Sequence, residues 1–167
     1  MTKDDIQLLY EYDRWANNRV LQAVSTLCAE EFTRDLGGSF RSVRDTLVHI
    51  VGCEWGWLTC WKEPSPSPTF VTDFWTRRDA LFNPNAFPDL DAVQLKWAEV
   101  EREQVEFVNR VTNESLGRML PVRTTQICLA HALPAYKSRP SGGSGRRPTC
   151  CLPKFEAAAT LLLTISR

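Results

Sequence analysis

The stretch Thr46-Leu47-Val48-His49-Ile50-Val51-Gly52-Cys53-Glu54-Trp55-Gly56-Trp57-Leu58 constrains the fold most, because it sets one of only two histidines inside the most apolar helical segment of the chain. At about 100° per residue, Leu47, Ile50, Val51, Trp57, Leu58 and Trp61 gather on one side of this helix, and His49, Cys53, Gly56 and Cys60 on the other. A helix apolar over most of its circumference is expected to be buried. An imidazole there needs a partner, either a hydrogen bond to a carbonyl or carboxylate or a metal ion. The residues alone leave both open. Cys60 lies about 16 Å along the axis from His49 by rise per residue, too far to share an ion with it, whereas Cys53 is one turn away.

The rest of the chain reads as helices around this one. Residues 4–27 form an amphipathic pattern that opens on Asp4 and Asp5, suited to the positive end of the helix dipole, with Ile6, Leu9, Ala16, Val20, Val24 and Leu27 as its apolar stripe. Asp13 and Asn17, four apart and therefore neighbours on one face, interrupt that stripe. They either lie at a wet bundle end, pairing with Arg14 or Arg19, or serve a site. Ala29 to Ser39 is a connector broken by Gly37-Gly38. The second helix runs from about Phe40 to Trp61, with Ser39 or Ser42 as cap, and the Pro64-Ser65-Pro66-Ser67-Pro68 run ends it. A long crossover carrying Phe70, Phe74, Trp75, Phe82 and Phe87 follows, with a short helix expected at about 71–82. The third helix, about Leu90 to Val111, presents Val93, Trp97, Val100, Gln104, Phe107, Val108 and Val111 at helical spacing and a solvated charge run on its other face. A fourth begins at Thr124-Thr125-Gln126-Ile127-Cys128-Leu129-Ala130-His131 and meets Pro134 early. The expected fold is therefore all-α, a four-helix bundle whose fourth helix is truncated or irregular.

With 167 residues the chain suits one domain with a substantial core. Lys plus Arg and Asp plus Glu balance at 20 each, which gives no case for nucleic acid as a partner. The balance hides an asymmetry: residues 137–167 hold six bases and one acid, leaving 14 bases against 19 acids in the remainder. Residues 137–167 accordingly read as a basic, Gly/Ser/Pro-containing tail with an apolar segment from Phe155 to Ile165, appended to a bundle over residues 1–136. The six cysteines show no CxxC pair. No signal core follows Met1, and no run approaches the roughly 20 apolar residues of a membrane span. A reducing, cytoplasmic setting is expected.

Three stretches taken together, Tyr12-Asp13-Arg14-Trp15-Ala16-Asn17, Leu36-Gly37-Gly38-Ser39-Phe40 and Asp45-Thr46-Leu47-Val48-His49-Ile50 with Glu54-Trp55-Gly56-Trp57-Leu58, resemble the DinB family over roughly residues 4–133. The resemblance implies a four-helix bundle with the long crossover between helices two and three, and a divalent metal held by three histidines. His49 matches one of them. The other two normally lie four apart in the fourth helix, within His-x-x-x-His-Arg-Gly-Gln, and this chain has Arg139 and Gly143 there. His131 falls about two turns before the first of those places. A conventional start followed by a composition break within one helix is the pattern that a change of reading frame near residue 132 would leave.

The activity implied by the resemblance is metal-dependent thiol S-transfer with a low-molecular-weight thiol, or hydrolysis by metal-bound water, on a small-molecule substrate. Imidazole nitrogen suits zinc, nickel or iron, and such an ion lowers the pKa of a bound water or thiol. Asp13 and Asn17 would then orient His49 or touch substrate; Cys53 and His131 are further metal candidates, and no catalytic residue is assigned. With two of three ligands missing, activity would be impaired. The alternative is a non-catalytic helical module in which His49 and Asp13 form a buried pair and the bundle serves interaction or homodimerisation, the poorly completed core leaving apolar surface for association.

Overall fold

The structure, a computed structural model, describes residues 2–63 and 67–116 of the chain. These residues are helical, without a strand among them: α1 Lys3–Val24, α2 Ala29–Thr33, α3 Val43–Lys62, α4 Pro68–Leu81, a 3-10 turn Pro84–Ala86, α5 Leu90–Arg110 and α6 Asn113–Leu116. The all-α expectation holds. The fourth helix and the basic tail, with His131, Arg139 and Gly143, lie outside the described residues.

Each main helix starts on a side chain that satisfies an otherwise unpaired amide. Thr2 and Asp5 form a reciprocal capping box at α1. Ser42, not Ser39, caps α3 by accepting from the Asp45 amide at 3.1 Å. Ser67 caps α4, whose first residue is Pro68, and Asp89 caps α5. The proline run therefore ends one helix and, through its last member, starts the next, since proline at the first helical position gives up an amide that has no partner there anyway. Gly37 holds a φ of 67°, the conformation that favours glycine, in the turn before α3. The short α2, unforeseen in the connector, packs on α3 and buries Phe32.

α3 is the central helix. Leu47 and Val51 are 0% exposed, and Val48, Leu58 and Glu54 are each 1% exposed. α5 packs between α1 and α3. It runs parallel to α3, with Lys62 bonded to Glu103 at 2.7 Å and Trp61 stacked on Phe107. It runs antiparallel to α1, with Lys3 Nζ donating to the Asn109 carbonyl at 2.8 Å and Arg14 facing Glu101. The crossover aromatics close the far side of α3: Phe74, Phe82 and Phe87 are buried, and Trp55 stacks on Phe74. Gly52 and Gly56 permit that approach, because a Cβ on either would sit 3.2–3.3 Å from the Phe82 or Phe74 ring. Each fully buried aliphatic side chain in this cluster contributes about 1.5–3 kcal/mol, so α3 and its aromatic cover dominate the core.

Leu9 departs from the expected apolar stripe of α1. It is 57% exposed, while Val20 and Val24 further along are buried. α5 and α3 touch α1 on the side bearing Tyr10, Arg14 and Asn17, and this rotates the packed face away from Leu9. No helix among the described residues is long and apolar enough to cross a membrane.

Candidate functional site

The polar groups of the bundle fall into two places on opposite flanks of α3. His49 and Glu54 are five residues apart, hence about 140° apart around the helix. His49 turns toward α4 and the turn before α3, and Glu54 turns inward, toward α1 and α5.

On the first flank the His49 ring lies tilted against Phe40 with centroids 4.2 Å apart, and its Nε2 lies 3.4 Å from Cys53 Sγ. The i,i+4 spacing on α3 makes this contact. Beside the ring opens a cleft of about 420 Å³ whose walls include Ser39, Asp45, Arg78 and Asp79. Burial first, and the positive charge of Arg78 second, push the His49 pKa down to about 4. The imidazole is therefore neutral at pH 7, with one ring nitrogen a donor and the other an acceptor. Arg78 is held by the ring of Trp75 at 5.8 Å and by Asp79 at 3.4 Å.

On the inner flank, Glu54 accepts from Asn17 Nδ2 at 2.9 Å, Gln104 Nε2 at 3.2 Å and Trp97 Nε1 at 3.3 Å. Donors from α1 and α5 thus converge on one carboxyl group of α3, whose two oxygens accept from all three N–H groups. Tyr10 stands nearby, edge-on to Trp61. Its phenol pKa is driven upward by burial and then by the carboxylates of Asp13 and Glu54, which puts both carboxylates within electrostatic reach of Tyr10.

The structure brings His49 together with Cys53, and Asn17 together with Glu54. Asn17 reaches Glu54 on the inner flank and not His49, and the Asp13 carboxylate is felt by Tyr10. Glu54, Trp97 and Gln104 were not singled out from the sequence as site residues. The signal was present: Asn17 and Gln104 each interrupt an apolar stripe, and Glu54 is an acid in the most apolar helix. Each interruption is another's partner. No group of three or more His, Cys, Asp or Glu side chains able to hold a metal ion occurs among the described residues.

Compared with known proteins, the chain matches the family model described as DinB family over residues 1–127. No curated protein and no solved structure matches it.

Proposed function

Because this chain belongs to the DinB family, we propose that it uses the helical scaffold of that family as a non-catalytic interaction module and does not run three-histidine metal chemistry. The observation that carries this reading is the donor set around His49. The chain has two histidines in all, and the ligand-type atom against His49 Nε2 is the Cys53 sulfur at 3.4 Å. One nitrogen and one sulfur do not make a centre of three imidazoles, so the residues present do not fit the family's metal. The Glu54 network supports the same reading, since Asn17 of α1 is committed to tying three helices together.

A second reading is favoured by the His49–Cys53 pair itself. A neutral imidazole beside a thiol, next to an open cleft, is donor chemistry suited to zinc, and a third ligand from elsewhere would complete a site of the metal-dependent transferase or hydrolase class.

Thermal unfolding with added zinc, nickel or iron(II) separates the two. An ion held with a Kd of 1 μM stabilises by about 2.7 kcal/mol at 100 μM free ion, a rise of several degrees. Wild-type protein and a His49→Ala variant are expected to respond alike to each metal. A rise present in wild type and abolished in His49→Ala overturns the module reading in favour of the metal site.

A further inference from the structure

The fold holds the Arg78 guanidinium in place while spending little of its hydrogen-bonding capacity. The side chain is 19% exposed, and its head lies over the ring of Trp75, one turn back on α4, 5.8 Å from the centroid. Trp75 in turn meets the buried Phe74 edge-on at 5.0 Å. The ring quadrupole attracts the cation, and this pair of rings fixes where it sits. A guanidinium carries five N–H donors in a planar fork. Among the described residues Arg78 makes one contact with them, to the exposed Asp79 carboxylate at 3.4 Å, long for a charge-assisted bond. Arg78 lines the cleft beside His49, none of its other donors is buried without a partner, and its charge is felt at the His49 ring.

A second wall of the cleft is the turn before α3, which is closed by its own backbone. The Leu36 amide donates to the Arg41 carbonyl at 2.7 Å, the Gly37 amide donates to the Asp35 carboxylate at 2.8 Å, and a Cβ on Gly38 would meet the Phe40 carbonyl oxygen at 3.2 Å. This turn sets Ser39 and Arg41 on the cleft, and the Ser39 hydroxyl is not spent on capping α3, which Ser42 does. A receptor whose walls are held before the ligand arrives loses less freedom on binding.

The lining decides the class of ligand. The charges in and around the cleft cancel, with Arg41 facing Asp35 at 3.6 Å, Arg44 facing Asp45 at 3.1 Å and Arg78 facing Asp79. Without a net positive field, a multiply charged anion such as phosphate gains little there. The guanidinium fork instead matches one planar carboxylate. Phe40, Val48, Phe82 and Pro84 also line the cleft, which suits an apolar body attached to that carboxylate. A volume of about 420 Å³ is at the small end for ligand sites, so the molecule is compact.

We propose that this cleft binds a small monocarboxylate with an apolar body, its carboxylate on Arg78 and its body against Phe40 and Phe82. This goes beyond the module reading: it gives the module a small-molecule ligand, held by α4 and the turn before α3, with no metal and no reaction required.

Calorimetric titration of the full chain with phenylacetate at constant ionic strength tests the proposal, beside phenylacetamide, phenethylamine and inorganic phosphate. A Kd of about 1 mM is expected for phenylacetate, in keeping with what about ten non-hydrogen atoms supply. Arg78→Ala is expected to raise it about tenfold or more, the effect of losing a charge-assisted pair. Arg78→Lys keeps the charge without the fork and is expected to raise it about threefold or more. The neutral amide, the amine and phosphate are each expected to bind about fivefold more weakly than phenylacetate or worse, since each lacks either the carboxylate or the apolar body. Circular dichroism checks that each variant is folded. In a His131→Gln background the His49 ring signals in NMR spectra are expected to shift along the same saturation curve, which locates the ligand without any change at Arg78. Absence of binding up to about 20 mM phenylacetate, phosphate or phenethylamine binding as tightly as phenylacetate, a Kd unchanged in Arg78→Ala, or saturation that leaves the His49 signals unmoved overturns the proposal. All of these titrations are run without added zinc, nickel or iron(II), so the ligand proposal and the module reading fail separately.

Discussion

Replacing Glu54 by alanine is the perturbation that most directly probes the interior of the bundle. The carboxylate is 1% exposed and receives N–H groups from α1 and α5 at 2.9, 3.2 and 3.3 Å. Removing it leaves the Trp97 and Gln104 donors, themselves 3% and 5% exposed, without an acceptor and opens a cavity. A hydrogen bond contributes about 0.5–1.5 kcal/mol, and a buried unsatisfied donor costs about 1–3 kcal/mol. With two such donors left buried and a cavity opened, Glu54→Ala is expected to destabilise by about 2–5 kcal/mol. At roughly 2–4 °C per kcal/mol for a chain of this size, the melting temperature falls by several degrees or more. Glu54→Leu restores volume but not the acceptor, and is expected to recover less than half of the loss. In a double-mutant cycle, Gln104→Ala on the Glu54→Ala background costs less than on wild type, with a coupling of about 0.5–3 kcal/mol. Urea unfolding followed by circular dichroism measures all of these. A Glu54→Ala variant within about 1 kcal/mol of wild type, or a cycle without coupling, refutes the network as the tie between the helices.

Acid sensitivity follows from His49. Its folded pKa, about 4, lies below the usual value near 6.5, so the unfolded chain takes up the proton first as pH falls. Stability is full above about pH 6.5, declines as pH falls toward 4 and levels off below. His49→Phe is expected to flatten this slope, and NMR titration in a His131→Gln background is expected to place the imidazole midpoint near 4; a midpoint near 6.5 contradicts the half-buried position near Arg78. Leu47→Ala, at a fully buried site, is expected to cost about 2–5 kcal/mol in denaturant unfolding. Gly56→Ala is expected to be better tolerated than Gly52→Ala. Each gains up to about 1 kcal/mol of helix propensity, but the new Cβ meets one Phe74 atom at 3.3 Å in the first case and three Phe82 atoms at 3.2–3.5 Å in the second; the reverse order of melting temperatures counts against the packing described.

Helical periodicity located α1, α3 and α5 to within a few residues, because each apolar stripe sums over five turns or so, and Ser42 was one of the two caps expected for α3; the helix expected at about 71–82 in the crossover is α4, Pro68–Leu81. α2 escaped because five residues with a single buried side chain carry no periodic signal. The faces were harder to read. Leu9 fits the α1 stripe by number, yet which neighbour a helix packs against fixes the rotation, and that information lies in α5. The site divided in the same way. His49 and Cys53 could be paired from one helix by their i,i+4 spacing. Asn17, Glu54 and Gln104 sit on three helices 37 and 50 residues apart in the chain, and only the packing shows that each offsets the others' burial.

The measurement that tests the central claim most directly is elemental analysis of the purified full chain by inductively coupled plasma mass spectrometry, beside a His49→Ala variant. The donor set described predicts the same background level of zinc, nickel and iron in both proteins. Near one equivalent of a single metal per chain, lost in the variant, contradicts it and assigns His49 to a working metal centre.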